Sequence, residues 1–163
     1  MIRLRPYRDA DEERLLSWGA DEDTYYRWTA GTLGEPPITS GQFRKLTERM
    51  RFVALDGDGP VGFFTFRVPG NDADELRFGF VIVDPEKRGR GVGRTMLRLG
   101  AEYAFRIYGA KRVTLGVLED NLPARACYAA AGFTETGVRE SYRFRGADRI
   151  AIEMEARRAD GKN

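Results

Sequence analysis

The chain contains no histidine and a single cysteine among its 163 residues, and these two shortages narrow the available chemistry. Without histidine, the commonest proton acceptor at neutral pH is missing. One cysteine cannot close an internal disulfide, which suits a reducing compartment. Cys127 also lacks an imidazole to draw off its proton and lies among alanines, so it reads as a small buried thiol rather than a nucleophile. Long apolar runs are absent too. The longest, Phe78 to Val83, is far too short to cross a bilayer, and no charged-then-apolar leader opens the chain. A cytoplasmic protein without a membrane partner is expected. Nor does one charge dominate: the net charge of +2 excludes a molecule that binds polyanions over its whole surface.

What the chain does have is glycine, placed with arginine. Residues 84 to 95 read Asp-Pro-Glu-Lys-Arg-Gly-Arg-Gly-Val-Gly-Arg-Thr, a strand end passing through a glycine-rich turn into a helix. Gly89, Gly91 and Gly93 allow positive φ and close backbone approach, so successive N–H groups can converge on one anion at the positive end of a helix dipole. Arg88, Arg90 and Arg94 add charge around it. A Walker loop fails, because the residue five before Gly93 is Arg88 and the residue after it is Arg94; a dinucleotide fingerprint fails, because Arg94 stands where its third glycine belongs.

The charge is unevenly spread: eight basic against three acidic residues from Asp84 to Arg112, seven acidic and one arginine from Asp9 to Asp23. Arg98 and Arg106 read as a solvated helix face, with Glu102 spaced for pairing. A nucleic-acid module could use the Lys87 to Arg112 surface, but clustering at a helix start without interleaved exposed aromatics argues against it.

Elements alternate β and α without repeats. Strands are expected at Ile2 to Arg5, Arg51 to Asp56, Val61 to Val68, Glu75 to Val83 and Arg112 to Leu118, with Asp56-Gly57-Asp58-Gly59 as a hairpin turn. Helices are expected at Ala10 to Trp18, Ser40 to Met50, Gly91 to Tyr108 and Leu122 to Ala131, and a further one over Asp21 to Trp28. Gly31 to Thr39 reads as a loop. A terminal antiparallel pair, Phe133 to Phe144 and Arg149 to Glu155, turns at Arg145 to Asp148. Helical spacing puts Val92, Met96, Leu99, Tyr103 and Ile107 on a core face, and period two puts Leu76, Phe78, Phe80 and Ile82 there. The length supports one domain over 1–156, followed by a polar tail over 157–163.

Arg-x-x-Gly-x-Gly from Arg88 to Gly93, followed after the next strand by Asn121, Ala124, Tyr128, Gly132 and Phe133 in an Asn-x-x-Ala-x-x-x-Tyr-x-x-x-Gly-Phe pattern, resembles the GNAT superfamily of acyl-CoA-dependent N-acetyltransferases. The opening Ile2 to Pro6 and Asp9 to Asp11 look like the branch that includes ribosomal-protein alanine acetyltransferases. The resemblance implies an α/β acyl-CoA N-acyltransferase fold with a central mixed, mainly antiparallel sheet of about seven strands and flanking helices. It implies acetyl-CoA as co-substrate, a primary amine as acceptor, no metal, no nucleic acid, and a monomer or homodimer. Arg88, Gly89, Arg90, Gly91, Val92, Gly93 and Arg94 would hold the pyrophosphate, and the backbone of Val81 and Val83 the pantetheine arm, with the Val81 N–H toward the thioester oxygen. Asn121 would face the same arm, or simply cap a helix.

Transfer of an acetyl group needs a neutral amine, a donor for the oxyanion and a proton for the departing thiolate. By resemblance Tyr128 supplies that proton; otherwise it packs the short helix. Glutamates that family members use as bases would fall at Arg77 or Gly116, so Glu75 is the nearest substitute, unless a strand bulge reverses its face or water relays the proton. Position 130 is Ala, where members often carry a lysine, so Arg125 could replace that contact. Tyr25 and Trp28, beside Asp21, Glu22 and Asp23, would receive a cationic amine, or else enter the core. A non-catalytic acyl-CoA sensor remains the alternative.

Overall fold

The computed structural model describes residues 1–57 and 59–159. Its elements are β1 (Ile2–Pro6), α1 (Glu12–Trp18), α2 (Glu22–Thr29), α3 (Ser40–Phe43), β2 (Met50–Asp56), β3 (Gly59–Arg67), β4 (Glu75–Val83), α4 (Val92–Tyr103), β5 (Arg112–Leu118), α5 (Leu122–Ala130), β6 (Thr134–Phe144) and β7 (Ala147–Arg157). The strands form a seven-stranded sheet in the order β1-β2-β3-β4-β5-β7-β6. β1–β2, β2–β3, β5–β7 and β6–β7 are antiparallel, whereas β4–β5 is parallel. A parallel neighbour needs a long crossover, which the glycine turn and α4 supply. The mixed, mainly antiparallel sheet with flanking helices is the one the motifs implied.

The chain divides into two compact units, one of residues 1–66 and 80–96, the other of residues 67–79 and 97 onward. The first is built on aromatics: Tyr25, Trp28, Phe43 and Phe63 are buried in one cluster with Leu15, Trp18, Val53 and Ile82, and Phe52, Phe64 and Phe66 form a second ring stack. In the other unit Leu76, Phe78, Val113, Leu115, Phe133 and Met154 are buried, with Phe78 edge-on to Phe133. The far end of the expected polar tail, 160–163, lies outside the described residues, as does Asp58 of the hairpin turn.

Three details depart from the sequence reading. The helix expected over Ser40 to Met50 is one α turn continued by a 3-10 turn, Arg44–Leu46. α4 passes into a π turn at Ala104–Tyr108 before Gly109, at φ 88°, ends it. Ile107, inside that turn, is 73% exposed, and already within α4 the buried face runs through Val92, Met96, Leu97 and Ala101, with the expected Leu99 and Tyr103 only half-buried. The terminal hairpin turns on two residues, Arg145 (φ 51°) and Gly146 (φ 76°), because Phe144 pairs with Ala147; two positive φ values suit the right-handed strand twist. No helix among the described residues is long and apolar enough to cross a membrane.

Candidate active site

The phosphate-loop candidates, with Val81 and Val83, belong to the first unit; Glu75, Asn121 and Tyr128 belong to the second. In the first, β4 ends at Val83 and Asp84 redirects the chain. Asp84 is 3% exposed, and its carboxylate accepts from the Glu86 N–H at 3.0 Å and from Arg14 Nη2 at 3.2 Å, while its own N–H donates to the Val61 carbonyl at 2.9 Å. Strand, α1 and turn are thus tied at one residue. The Asp-Pro step at a strand end was the sequence signal for it.

Beyond Asp84, Gly89 (φ 74°) and Gly91 (φ 78°) take left-handed conformations that strain residues with a Cβ. Gly93 does not: it is the second residue of α4. A Cβ at Gly89 would meet nothing within 4 Å, and one at Gly91 only Arg94 Nη2 at 3.8 Å. The space over the turn is open. Arg88, Arg90 and Arg94 are exposed, and among the described residues none has an ion-pair partner. Val92 is buried and anchors the helix start. Nearby Asp21 caps α2 by accepting from the Thr24 N–H at 2.9 Å; these Thr24 bonds hold its carboxyl below the usual range, and the Arg88 guanidinium adds to the effect. An open turn with two left-handed glycines, a helix N-terminus and three arginines fits a pyrophosphate.

The middle of β4 is irregular. Phe80 has φ +50°, the left-handed region, for which a non-glycine residue in a strand carries strain of order 1–3 kcal/mol. Its carbonyl accepts from Trp28 Nε1 at 2.9 Å, and the Arg49 guanidinium lies 5.1 Å over its ring. Phe78 packs on Phe133, and Phe80 and Ile82 pack with the Trp28 cluster. Leu76, Phe78 and Ile82 are buried as the period-two reading expected, and Phe80 is half-buried. Val81 and Val83 are half-buried. The parallel β4–β5 ladder itself covers only Glu75↔Arg112, Leu76↔Val113 and Arg77↔Thr114.

Tyr25 and Trp28 are core residues. Tyr25 is 0% exposed and donates its hydroxyl to the Gly34 carbonyl at 2.7 Å; Trp28 is 5% exposed and packs on Phe43 and Phe63. Of that acidic-aromatic stretch, the carboxylates of Glu22 and Asp23 face outward, and Asp23 pairs with Arg27.

In the second unit, Asn121 caps α5 by accepting from the Ala124 N–H at 3.3 Å. Tyr128, one turn beyond, packs against Phe133 at 6.4 Å. Burial, and to a lesser degree Cys127, pushes its phenol above the usual value, so it is protonated throughout the neutral range. Its hydroxyl makes no hydrogen bond to another described residue. Cys127 is half-buried. Arg125 turns away from the role considered for it: it donates to the Glu119 carbonyl at 2.8 Å and pairs with Glu135.

Glu75 is engaged. It accepts from the Thr114 hydroxyl at 2.5 Å and lies 3.4 Å from Arg112 Nε. Arg77 donates to Thr114 at 3.3 Å and to Glu153 at 3.2 Å, and Arg112 also reaches Glu153 and Glu155, each at 3.5 Å. A Cβ at Gly116 would stand 3.0 Å from Arg77 Nη2. The guanidinium at one position where the resemblance would place a glutamate therefore lies across the glycine at the other. Glu153, whose Oε1 also accepts from Thr136 at 3.1 Å, was not singled out from sequence; only strand pairing opposite Gly116 reveals it. Among the described residues no group of three or more His, Cys, Asp or Glu side chains could hold a metal.

A family model described as the acetyltransferase (GNAT) family matches residues 7–133. The chain belongs to that family. Mycothiol acetyltransferase of Geodermatophilus obscurus is 32% identical over 146 residues, covering 80% of this chain and 46% of the relative; that of Rhodococcus erythropolis is 28% identical over 152 residues, covering 86% and 49%. The chain spans about half the length of these curated relatives. Among solved structures, spermidine N-acetyltransferase from Vibrio cholerae in complex with CoA and spermine superposes with a TM-score of 0.80 at 21% identity, covering 96% of this GNAT chain and 95% of the other. An aminoglycoside acetyltransferase in complex with coenzyme A gives 0.77 at 18%, covering 97% and 95%. These likenesses establish the fold.

Proposed function

We propose that the protein transfers an acetyl group from acetyl-CoA to a primary amine, by direct attack of the amine on the thioester. The observation that carries this is the Arg88–Arg94 turn, with Gly89 and Gly91 left-handed, open space above them and α4 beginning behind, in a chain that matches the GNAT family. Arg88, Arg90, Arg94 and the N–H groups of the turn bind the pyrophosphate. The backbone of Val81 and Val83 holds the pantetheine arm, and the Val81 N–H donates to the thioester oxygen as charge develops on it. Asn121 spends its Oδ1 on the cap and keeps its amide N–H groups for that arm.

Tyr128 donates its phenolic proton to the departing sulfur. The phenol is protonated at neutral pH, and since its raised pKa makes it a weaker acid, the transfer accompanies C–S cleavage, as charge develops on the sulfur. Its hydroxyl has no hydrogen-bond partner among the described residues. Glu75, already bonded to Thr114 and Arg112, is at most a relay through water, so the amine arrives largely deprotonated by solvent. The acceptor is a protein N-terminus, as in the alanine acetyltransferase branch, a lysine, a polyamine or another small-molecule amine. Polyamine and small-molecule acceptors gain support from the named relatives, and the outward Glu22 and Asp23 favour a cationic one. The reaction is placed in the cytoplasm.

The test is calorimetric titration with acetyl-CoA together with thiol release across a panel of amines. Binding with release on at least one amine is expected. Binding without release on any would favour the non-catalytic sensor, to which the engaged Glu75 lends its support.

A further inference from the structure

Among the described residues, Ala30, Phe80 and Arg145 are the non-glycine residues with positive φ. Ala30 ends a helix and Arg145 turns a hairpin, places where left-handed backbone is ordinary. Phe80 lies inside a strand, with neither a turn nor a glycine to explain it. A strained backbone persists only where its surroundings over-determine it, and here the surroundings are visible. Trp28 Nε1 donates to the Phe80 carbonyl at 2.9 Å. The indole cannot easily move: it packs edge-on with Phe63 at 6.2 Å and tilted on Phe43 at 6.3 Å, and a Cβ on Gly19 would come within 3.0 Å of its Cε3 and Cζ3. Arg49 steadies the Phe80 ring from outside.

The Phe80 carbonyl and the Val81 N–H share one peptide unit. That unit is trans, since the cis peptide of the chain is Pro36–Pro37, and in a planar trans unit C=O and N–H point in opposite directions. Fixing the carbonyl on Trp28 therefore fixes the N–H away from the Trp28 cluster. A donor on the carbonyl also polarises the unit and strengthens the N–H as a donor in its turn. We propose that Trp28 is a positioning residue for acetyl transfer: its indole N–H holds the left-handed Phe80 peptide and so aims the Val81 N–H at the reacting oxygen. This rests on the acetyl-transfer reading above and gives that reading a second residue, buried and remote from the phosphate loop in sequence.

Trp28→Phe keeps an aromatic ring and removes the donor. Its kcat should fall about tenfold or more, part of the 10²- to 10³-fold that loss of an oxyanion donor costs, with KM for acetyl-CoA changing by less than about threefold. Glycine adopts positive φ freely, so adding Phe80→Gly to Trp28→Phe should recover several-fold of the lost kcat. Simple loss of packing would instead deepen with the second change. Proton NMR of the Val81 amide, in parent and Trp28→Phe, reads the geometry without turnover: its shift should move and its exchange quicken. Parental kcat in Trp28→Phe, an unmoved Val81 amide, or a double variant no faster than the single would each overturn the proposal. A parent that releases no thiol with any amine would strike the acetyl-transfer reading itself, and the role given to Trp28 with it, whatever the amide shows.

Discussion

β4 is one strand with two chemistries. From Glu75 to Arg77 it is paired with β5, and its polar side chains are bound into Arg112, Thr114 and Glu153. From Phe80 to Asp84 it is bent by a left-handed residue and leads into a turn whose arginines are exposed. In the first stretch the ionisable groups are paired with one another, although Arg112 Nε and Glu155 Oε2 are buried without a hydrogen bond. In the second the groups that the proposed function uses are backbone N–H and C=O, with exposed arginines beyond them. The Glu75 carboxylate is already held by the Thr114 hydroxyl and the Arg112 guanidinium. A peptide fixed by its neighbours needs no reorganisation when charge develops beside it. Under the proposed function, the contrast predicts that a hydroxyl and a peptide group matter more to turnover than the charged network does.

The largest effect that would break this contrast concerns the open hydroxyl of Tyr128. Tyr128→Phe should lower kcat by about 10²- to 10⁴-fold, while calorimetry shows acetyl-CoA affinity nearly unchanged, because the ring still packs on Phe133. Parental turnover, with chemistry limiting, would leave Tyr128 as packing alone.

Next in size is the pH profile, which sharpens the same point. With no histidine and an engaged Glu75, kcat/KM should climb from pH 6 to beyond about pH 8 as the free-amine fraction grows, roughly tenfold per pH unit for a lysine-like acceptor of pKa about 10.4 and levelling sooner for an α-amine near 7.7 to 8.0. The alkaline side carries a stability effect. Burial pushes Tyr7 up to about 12 and raises Tyr128 as well. For groups whose folded pKa is raised, the contribution is complete below the unfolded value near 10 and is lost as pH rises toward the folded one. Chemical denaturation should therefore show falling stability above about pH 10, and constant stability from pH 10 to 12 would contradict the burial of these phenols.

A smaller effect is expected at the turn. Arg88→Ala removes a charge-assisted phosphate contact worth about 1.5–3 kcal/mol, so the Kd for acetyl-CoA should rise roughly 10- to 100-fold. Gly91→Val should weaken binding as well, since valine resists φ near 78°. Variants that fold and bind as the parent does would remove the loop from the site.

The turn was legible because its backbone needs a particular residue type: glycine where φ is positive, as at Gly89 and Gly91. Strand and helix positions were legible for a similar reason, through period and punctuation. The left-handed backbone at Phe80 was not, since a phenylalanine carries no mark of it, and the donor to its carbonyl comes from Trp28, 52 positions earlier. The same lack of signal left Tyr25 and Trp28 open between an amine site and the core, since their rings suit both equally well. Glu153 was missed because its importance comes from lying opposite Gly116 across β5 and β7, which no local pattern records. Ile107 kept helical spacing on paper, but it lies in the π turn and is exposed.

The smallest expected effect is the most direct test of the engaged half of β4. Glu75→Gln leaves an oxygen to accept from Thr114 but turns a neutral amide, with N–H groups of its own, toward Arg112. The loss is one partly buried ion pair, with the Glu153 and Glu155 contacts of Arg112 intact, so stability should fall by about 1–2 kcal/mol. Turnover, measured well below the melting temperature, should change by less than about threefold, because a group acting only through water can be replaced by bulk water. Should kcat collapse by more than about 10²-fold while thermal unfolding is unchanged, and should the variant lose the rise with pH seen in the parent, Glu75 would be the principal base. The network around it would then be the device that tunes that base, and the two halves of β4 would be one catalytic apparatus.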